Sequence, residues 1–231
     1  MNVQNTALVE RTVVAKWDRY HASGSNKDFP NLDLVRLKHW FFGAGTGELL
    51  EYGFGCGVNL IFLLECGYKV EAIDASIEAK KNVEKRLTSH PELAKNVALR
   101  HLDLRAERLP YEDGSFDFIT CISVLSLLGN KERAQALLGE FRRVLKHNGK
   151  IIVDINGHKS DFARKAEKLP NDVFKFRWHV QEEPNFCYCL SSAESFAELV
   201  SPYLKVDDLG YSSHKYFDSE IEEFIVCGHK A

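Results

Sequence analysis

No run of apolar residues in this 231-residue chain comes near the ~20 needed to cross a bilayer, the longest lying around Leu60 to Leu64, so no membrane partner is expected. The opening residues, MNVQNTALVERTVVAK, lack a basic start followed by an uninterrupted apolar stretch. No secretory leader is expected from them, and a cytoplasmic location is. Charge of one sign is also missing. Thirty basic against 33 acidic side chains leave −3, which gives no electrostatic footprint for a polyanion and disfavours nucleic acid. The six cysteines (Cys56, Cys66, Cys121, Cys187, Cys189 and Cys227) show no C-x-x-C spacing, so zinc is disfavoured and no metal is expected. Cys187 and Cys189 fall in the alternating run Phe186 to Leu190, which puts both thiols on one face of a strand, where they read as small core hydrophobes in a reducing compartment. Internal repeats and low-complexity segments are absent.

What is present suits one sizeable core. Hydrophobic residues make up 45%, charged residues 27% and aromatics 11%, the composition of an ordinary globular chain that forms a single domain with additions. Its organising stretch is Glu48 to Asp74, read as a strand, a glycine turn, a short apolar helix and a second strand ending on a carboxylate. Gly53, Gly55 and Gly57 mark a turn where a ligand can approach the backbone closely, with the N-terminal N–H groups of the following helix aimed at it. Asp74 lies 74 − 53 = 21 positions past the first glycine, the spacing at which a carboxylate meets ribose hydroxyls in a mononucleotide-binding half. A second glycine cluster, Gly43 to Gly47, is rejected. Gly43 is 31 residues before Asp74, and Lys38 to Phe42 ahead of it reads as a helix end rather than a strand. The dinucleotide fingerprint needs its third glycine at position 58, which is Val58.

The run Glu51-x-Gly53-x-Gly55-x-Gly57 resembles the first motif of the class I S-adenosylmethionine-dependent methyltransferases, whose acidic residue also stands two before the first glycine. A second, more specific stretch, Ala106 to Ile119, resembles the AE-x-LP-aromatic-x-D-x-SFD segment between strands three and four of many members, and Leu145 to Lys150 resembles their L-K-P-G-G turn. The resemblance implies an α/β, three-layer Rossmann-like fold with a seven-stranded, mostly parallel sheet and an antiparallel last strand. It implies S-adenosylmethionine as cofactor and S-adenosylhomocysteine as product, held by Glu51, Gly53, Gly55, Gly57, Asn59, Asp74, Ala75, Asp103, Leu104 and Ile122. Arg105 stands where the family's adenine-contacting acid usually stands, and Asp103 is two residues earlier. Ser123 falls where relatives often carry a polar group facing the transferable methyl. No N-P-P-Y or D-P-P-Y run is present.

Four segments follow: an N-terminal helical extension (1–45), a cofactor-binding core (46–156), an insertion (157–190), and a C-terminal helix with the last two strands (191–231). In the first, Ala7 to His21 has helical apolar spacing, and Asn31 can cap a helix from Leu32 to about Phe42. Trp17, Tyr20 and Phe29 either form a lid or pack the added helices onto the domain. In the insertion, Ser160 to Leu169 reads as a helix, and Val173 to Val180 and Phe186 to Leu190 as hairpin arms. Such an insertion lies near the ligand-binding edge of a parallel sheet, as a substrate-facing cap. Arg142, Arg143, Lys146 and His147 end an amphipathic helix, as dipole partners or as a basic patch. An activated sulfonium methyl needs alignment more than side-chain chemistry, so no catalytic base is assigned. His21, His158, His179 and His214 are the histidines at expected site edges. The enclosing aromatics favour a small-molecule acceptor methylated on oxygen or nitrogen over RNA or protein, or over silent cofactor binding. With Val58 closing the glycine run, calorimetric titration should register S-adenosylhomocysteine and no NAD; tight NAD binding alone would leave only the α/β architecture standing.

Overall fold

The structure, a computed structural model, describes residues 14–24, 27–104, 106, 108–177 and 184–231. The chain divides into two compact units, Met1–Tyr111 and Glu112–Ala231.

The first unit opens with helix α1 (14–22); the start of the expected Ala7 to His21 helix lies outside the described residues. Helix α2 (Leu32–Leu37) continues through a wider π-helical turn, Lys38–Phe42, to Gly43. Asn31 caps it as expected, its side-chain oxygen accepting from the amides of Asp33 (2.9 Å) and Leu34 (3.0 Å). Then follow β1 (Glu48–Tyr52), α3 (Val58–Glu65), β2 (Lys69–Asp74), α4 (Ile77–Leu87), the single turn α5 (Pro91–Ala94) and β3 (Val97–His101). Both β1–β2 and β2–β3 are parallel, with Glu51 opposite Ala72 and Asp74 opposite His101. Four consecutive residues of β1, Leu49 to Tyr52, are buried, as in a strand covered on both faces. Ser76 caps α4 by accepting from Ala79 N (3.1 Å), and Ala79, Val83 and Leu87, one turn apart, form its buried stripe.

The second unit contains β4 (Phe116–Cys121), a 3₁₀ turn (Leu125–Leu128), α6 (Lys131–Val144), β5 (Leu145–Asn156), α7 (Asp161–Arg164), β6 (Glu167–Lys168), β7 (Val173–Phe176), β8 (Asn185–Tyr188), α8 (Ala193–Val200), β9 (Lys205–Tyr216) and β10 (Ser219–His229). Phe116 pairs with Leu145 while Phe118 pairs with Lys150, so the expected turn is a bulge within β5, with Asn148 at φ 61°. The strands order as β3-β2-β1-β4-β5-β10-β9 in one seven-stranded sheet. It is mostly parallel, and the last strand, β10, runs antiparallel to both β5 and β9, as the resemblance implied.

The insertion differs from its expectation. Only Asp161–Arg164 is helical, and the residues that would have continued it turn out as β6, which joins β7 and β8 in a separate three-stranded sheet. The small core beneath is Ala163, Phe174, Phe176, Cys187 and Cys189. The two cysteines are reduced and buried on one side of the strand, Sγ to Sγ 3.7 Å, as the alternation indicated. Its root is fixed by buried Glu222 of β10, which accepts from Lys159 N (3.0 Å) and Tyr211 Oη (3.2 Å). Two of the four cations at the end of α6 and the start of β5 are held in ion pairs. Arg143 pairs with Glu140 and Asp113, and both carboxylate oxygens of Asp117 accept from Lys146 Nζ at 2.9 Å.

Because Asn31 satisfies two of the orphan amides of α2, Asn31→Ala should cost about 1 kcal/mol in urea-induced unfolding. A loss near zero would mean that water replaces the cap without penalty.

Candidate cofactor site

The glycine turn between β1 and α3 is shaped by what its backbone must approach. Gly53 N donates to Ile73 O (2.8 Å), carrying the sheet contact one residue past β1. Gly57, at φ +79°, begins α3, and a Cβ there would stand 2.6 Å from Val83 Cγ2, so this glycine is what lets α4 pack behind the turn. Gly55, at φ +50°, is different: among the described residues a Cβ there would find only His21 Cε1, at 3.7 Å. That opening is where a ligand can lie against the backbone.

Asp74, at the end of β2, fixes the turn. Its Oδ2 accepts from Gly55 N and its Oδ1 from Ser76 N, both at 2.8 Å. Burial raises the Asp74 carboxyl above its usual range, against the opposing pull of those two amides. Glu51, 3% exposed on β1, is pushed well above the ordinary value by burial and then by Asp74, and its Oε2 is buried with no hydrogen-bond partner. Two carboxylates thus lie at the turn, half-buried Asp74 holding it and buried Glu51 with an unsatisfied oxygen. Each Asp74 oxygen accepts one bond from the backbone and keeps a further lone pair.

Helix α1 is anchored to the same place. Asp18 Oδ1 accepts from Ser76 Oγ (2.6 Å) and Glu78 N (3.2 Å), and Asn82 Nδ2 donates to His21 O (2.9 Å). These bonds hold His21, 7% exposed, near Gly55. Burial lowers its imidazole, with Asp74 and Asp18 opposing. Trp17 and Tyr20 meet edge to face at 5.8 Å, while Phe29 is 79% exposed and fills no core. The sequence reading did not single out Asp18. Its place one helical turn before His21 in Trp17-Asp18-Arg19-Tyr20-His21 was the available signal.

The other expected positions divide. Asn59 Oδ1 accepts from Asn31 N (2.8 Å), so it joins α3 to the start of α2. Ala75 O meets His101 Nε2 at 3.0 Å. Asp103 is exposed beyond β3 and its carbonyl accepts from Ala106 N (3.0 Å), with half-buried Leu104 between them. Ile122 and Ser123 follow β4 in the second unit. There Ser123, at φ 60°, donates its amide to buried Asp154 Oδ1 (2.6 Å), a strained backbone held by a carboxylate. His158 is committed within the insertion, its Nε2 3.0 Å from Cys189 O and 3.2 Å from Asp172 Oδ1. His179 lies outside the described residues. Among the described residues no cluster of three or more His, Cys, Asp or Glu could hold a metal, and no helix is long and apolar enough to cross a membrane.

Comparisons with known proteins place the chain among methyltransferases. Residues 50–153 match the model of a methyltransferase domain. A protein of Encephalitozoon cuniculi that bears the name methyltransferase, without a named acceptor, is 30% identical over 194 residues, 79% of this chain and 86% of that one. A glycine/sarcosine N-methyltransferase of Aphanothece halophytica is 28% identical over 145 residues, 61% of this chain; the match spans about half of that relative, 51%. Among solved structures, a methyltransferase of Methanosarcina mazei dependent on S-adenosylmethionine superposes with a TM-score of 0.67 at 22% identity, over 79% of this chain and 92% of that one, a likeness of fold. The chain belongs to the class I S-adenosylmethionine-dependent methyltransferases. S-adenosylmethionine is the cofactor that membership implies, and the site fits it: an open glycine turn, a carboxylate with lone pairs to spare and a buried carboxylate oxygen without a partner.

The electrostatics make a prediction with a definite sign. Below pH ~4.5 Glu51 is protonated in both folded and unfolded chains. As pH rises from there to the raised folded value, the unfolded chain releases a proton that the fold retains, so stability falls, and above the folded value the full penalty is present. Glu51→Gln removes it. The variant should melt higher than the parent at pH 8, by about 2–4 °C for each kcal/mol relieved, with the gap closing as pH approaches 4.5. Melting curves across that range check it; a gap independent of pH would mean that Glu51 is ionised in the fold without strain.

Proposed function

We propose that this protein transfers a methyl group from S-adenosylmethionine to an oxygen or nitrogen of a small-molecule acceptor. The observation that carries the reading is the pair of acidic side chains at an open glycine turn, buried Glu51 and half-buried Asp74. A floor of two acids suits a ligand that brings an ammonium group and a ribose diol, and repels one that brings a pyrophosphate. In this reading Asp74 accepts from the ribose hydroxyls, Glu51 Oε2 accepts from the ammonium, and the backbone of Gly53 to Gly57 lies along the cofactor. Asn59, Ala75, Asp103, Leu104 and Ile122 are proposed to complete its surroundings, and α1 with Trp17, Tyr20 and Phe29 to form a lid. Ser123 and His158 are acceptor-facing candidates.

The bound cofactor supplies a methyl group already activated on a sulfonium. The chain's own residues are left to bind, orient and exclude water, which is why no general base is assigned. The choice of a small acceptor draws on the aromatic N-terminal segment and on the ion pairs that occupy Arg143 and Lys146. The relative named for glycine and sarcosine, both small amines, points the same way. Location in the cytoplasm belongs to the same proposal.

Asp74→Ala should weaken S-adenosylhomocysteine binding by about 1.5–3 kcal/mol for each charge-assisted hydrogen bond to the ribose that it removes, less whatever water restores, read by calorimetry. Single-turnover transfer to a panel of small amines and alcohols tests the acceptor class. Binding of the cofactor without transfer to any of them, but with transfer to peptide or RNA, would move the acceptor to a macromolecule.

A further inference from the structure

His21 is the one buried side chain of α1 whose polar atom near the glycine turn is unsatisfied. The ring is 7% exposed, its Nδ1 is buried with no hydrogen-bond partner, and among the described residues its Cε1 is the one atom that a Cβ on Gly55 would meet within 4 Å. A buried nitrogen left without a partner opposes folding, so its retention asks for a ligand atom that satisfies it. The ring is not there by loose contact. Asp18 holds α1 to Ser76 Oγ and Glu78 N at the start of α4, and Asn82 holds the carbonyl of His21 itself. Tyr20 stands edge to face against the imidazole, with ring centroids 5.2 Å apart, and Trp17 lies at 6.3 Å, which limits the ring's freedom to turn away.

Three groups therefore meet at one point: Gly55, whose amide is held by Asp74; Asp74, with lone pairs to spare; and His21, electrostatically in reach of Asp74 and in contact distance of Gly55. We propose that His21 and Asp74 together hold the ribose hydroxyls of the cofactor, with His21 Nδ1 as the second hydrogen-bond partner. The inference rests on the cofactor reading above and adds a residue from the N-terminal helix to it. A hydroxyl is both donor and acceptor. It gives its hydrogen to the Asp74 carboxylate and receives one from Nδ1–H, so a carboxylate and a neutral imidazole on opposite sides of a diol satisfy all the groups at once. Burial lowers the imidazole and so favours its neutral form, which suits a donor to a hydroxyl. The same contact gives α1 a reason to be ordered by the cofactor: the atom that lacks a partner in the free protein is on the helix, and the atom that completes it is on the ligand.

Calorimetry with S-adenosylhomocysteine and its 2′-deoxy and 3′-deoxy analogues tests this on His21→Phe and His21→Asn. His21→Phe keeps the ring and removes the nitrogen, and should weaken S-adenosylhomocysteine binding about three- to tenfold while leaving unchanged the affinity for the analogue that lacks the hydroxyl His21 meets. His21→Asn, whose amide reaches the Nδ1 position, should recover most of the affinity. Thermal melts accompany both variants. If His21→Phe does not fold, His21→Gln, which carries its amide at the Nε2 position instead, takes its place with the same expected weakening. Equal weakening for the parent ligand and both analogues would make His21 a packing residue and overturn the inference, as would a His21→Phe that binds S-adenosylhomocysteine like the parent. Failure of the parent to bind S-adenosylhomocysteine at all would instead sink the cofactor reading. Weakening by Asp74→Ala without any effect at His21 would remove His21 alone.

Discussion

The two hydrogen bonds from Gly55 N and Ser76 N to the Asp74 carboxylate are the constraint on which the first unit's site depends. One ties the glycine turn after β1 to the end of β2; the other ties the end of β2 to the start of α4. A neutral acceptor could make the same contacts, but charge-assisted bonds to backbone amides are about twice as strong as neutral ones, and a carboxylate offers enough lone pairs to hold the turn and still meet a ligand. The turn is thereby shaped before any ligand arrives. Gly57 closes the back of it against Val83 and Gly55 leaves the front open, so two glycines two residues apart serve opposite steric ends.

That preformed turn sits over buried acid. Burial disfavours the charged form of both Glu51 and Asp74, the nearby Asp74 charge pushes Glu51 up further, and the fold carries Glu51 Oε2 and His21 Nδ1 without hydrogen-bond partners. Groups of this kind oppose stability in the free protein, and in the proposed reading they gain partners from a ligand that is cationic at one end and hydroxylated at another. The strain is local. Around it the supporting elements are conventional, with side-chain caps on α2, α4, α6 and α8 and a continuous apolar stripe on each amphipathic helix of the sheet layers.

The N-terminal helix changes the meaning of the turn. A glycine-rich turn of this shape recurs on many α/β sheets, and the comparison proteins share the fold at low identity, so the turn gives the class and little else. Asp18, Ser76 and Asn82 bring a histidine from outside the minimal sheet up to that turn. In the second unit the insertion is likewise an addition, with its own three-stranded sheet and core, rooted on Glu222.

Sequence alone determined the features that depend on neighbours along the chain. The glycine spacing, the carboxylate 21 residues on, the caps at Asn31 and Ser76, the apolar stripe of α6 and the alternation that buries Cys187 with Cys189 are all local, because turn chemistry and strand or helix period are set within a few residues. Even the seven-stranded, mostly parallel sheet with its antiparallel last strand followed once the family pattern was seen. Local reading failed where pairing decided the outcome: the residues after Arg164 have helical spacing, yet Glu167 and Lys168 pair with β7 and end the helix after one turn. It was also blind to Asp18, whose role requires Ser76, 58 residues away, and it could name His21 as one histidine among several without finding that its Nδ1 is buried and unmatched. Burial and hydrogen-bond satisfaction are properties of the surroundings in space, and only the tertiary structure brings Asp18, Gly55, Asp74 and His21 to one place.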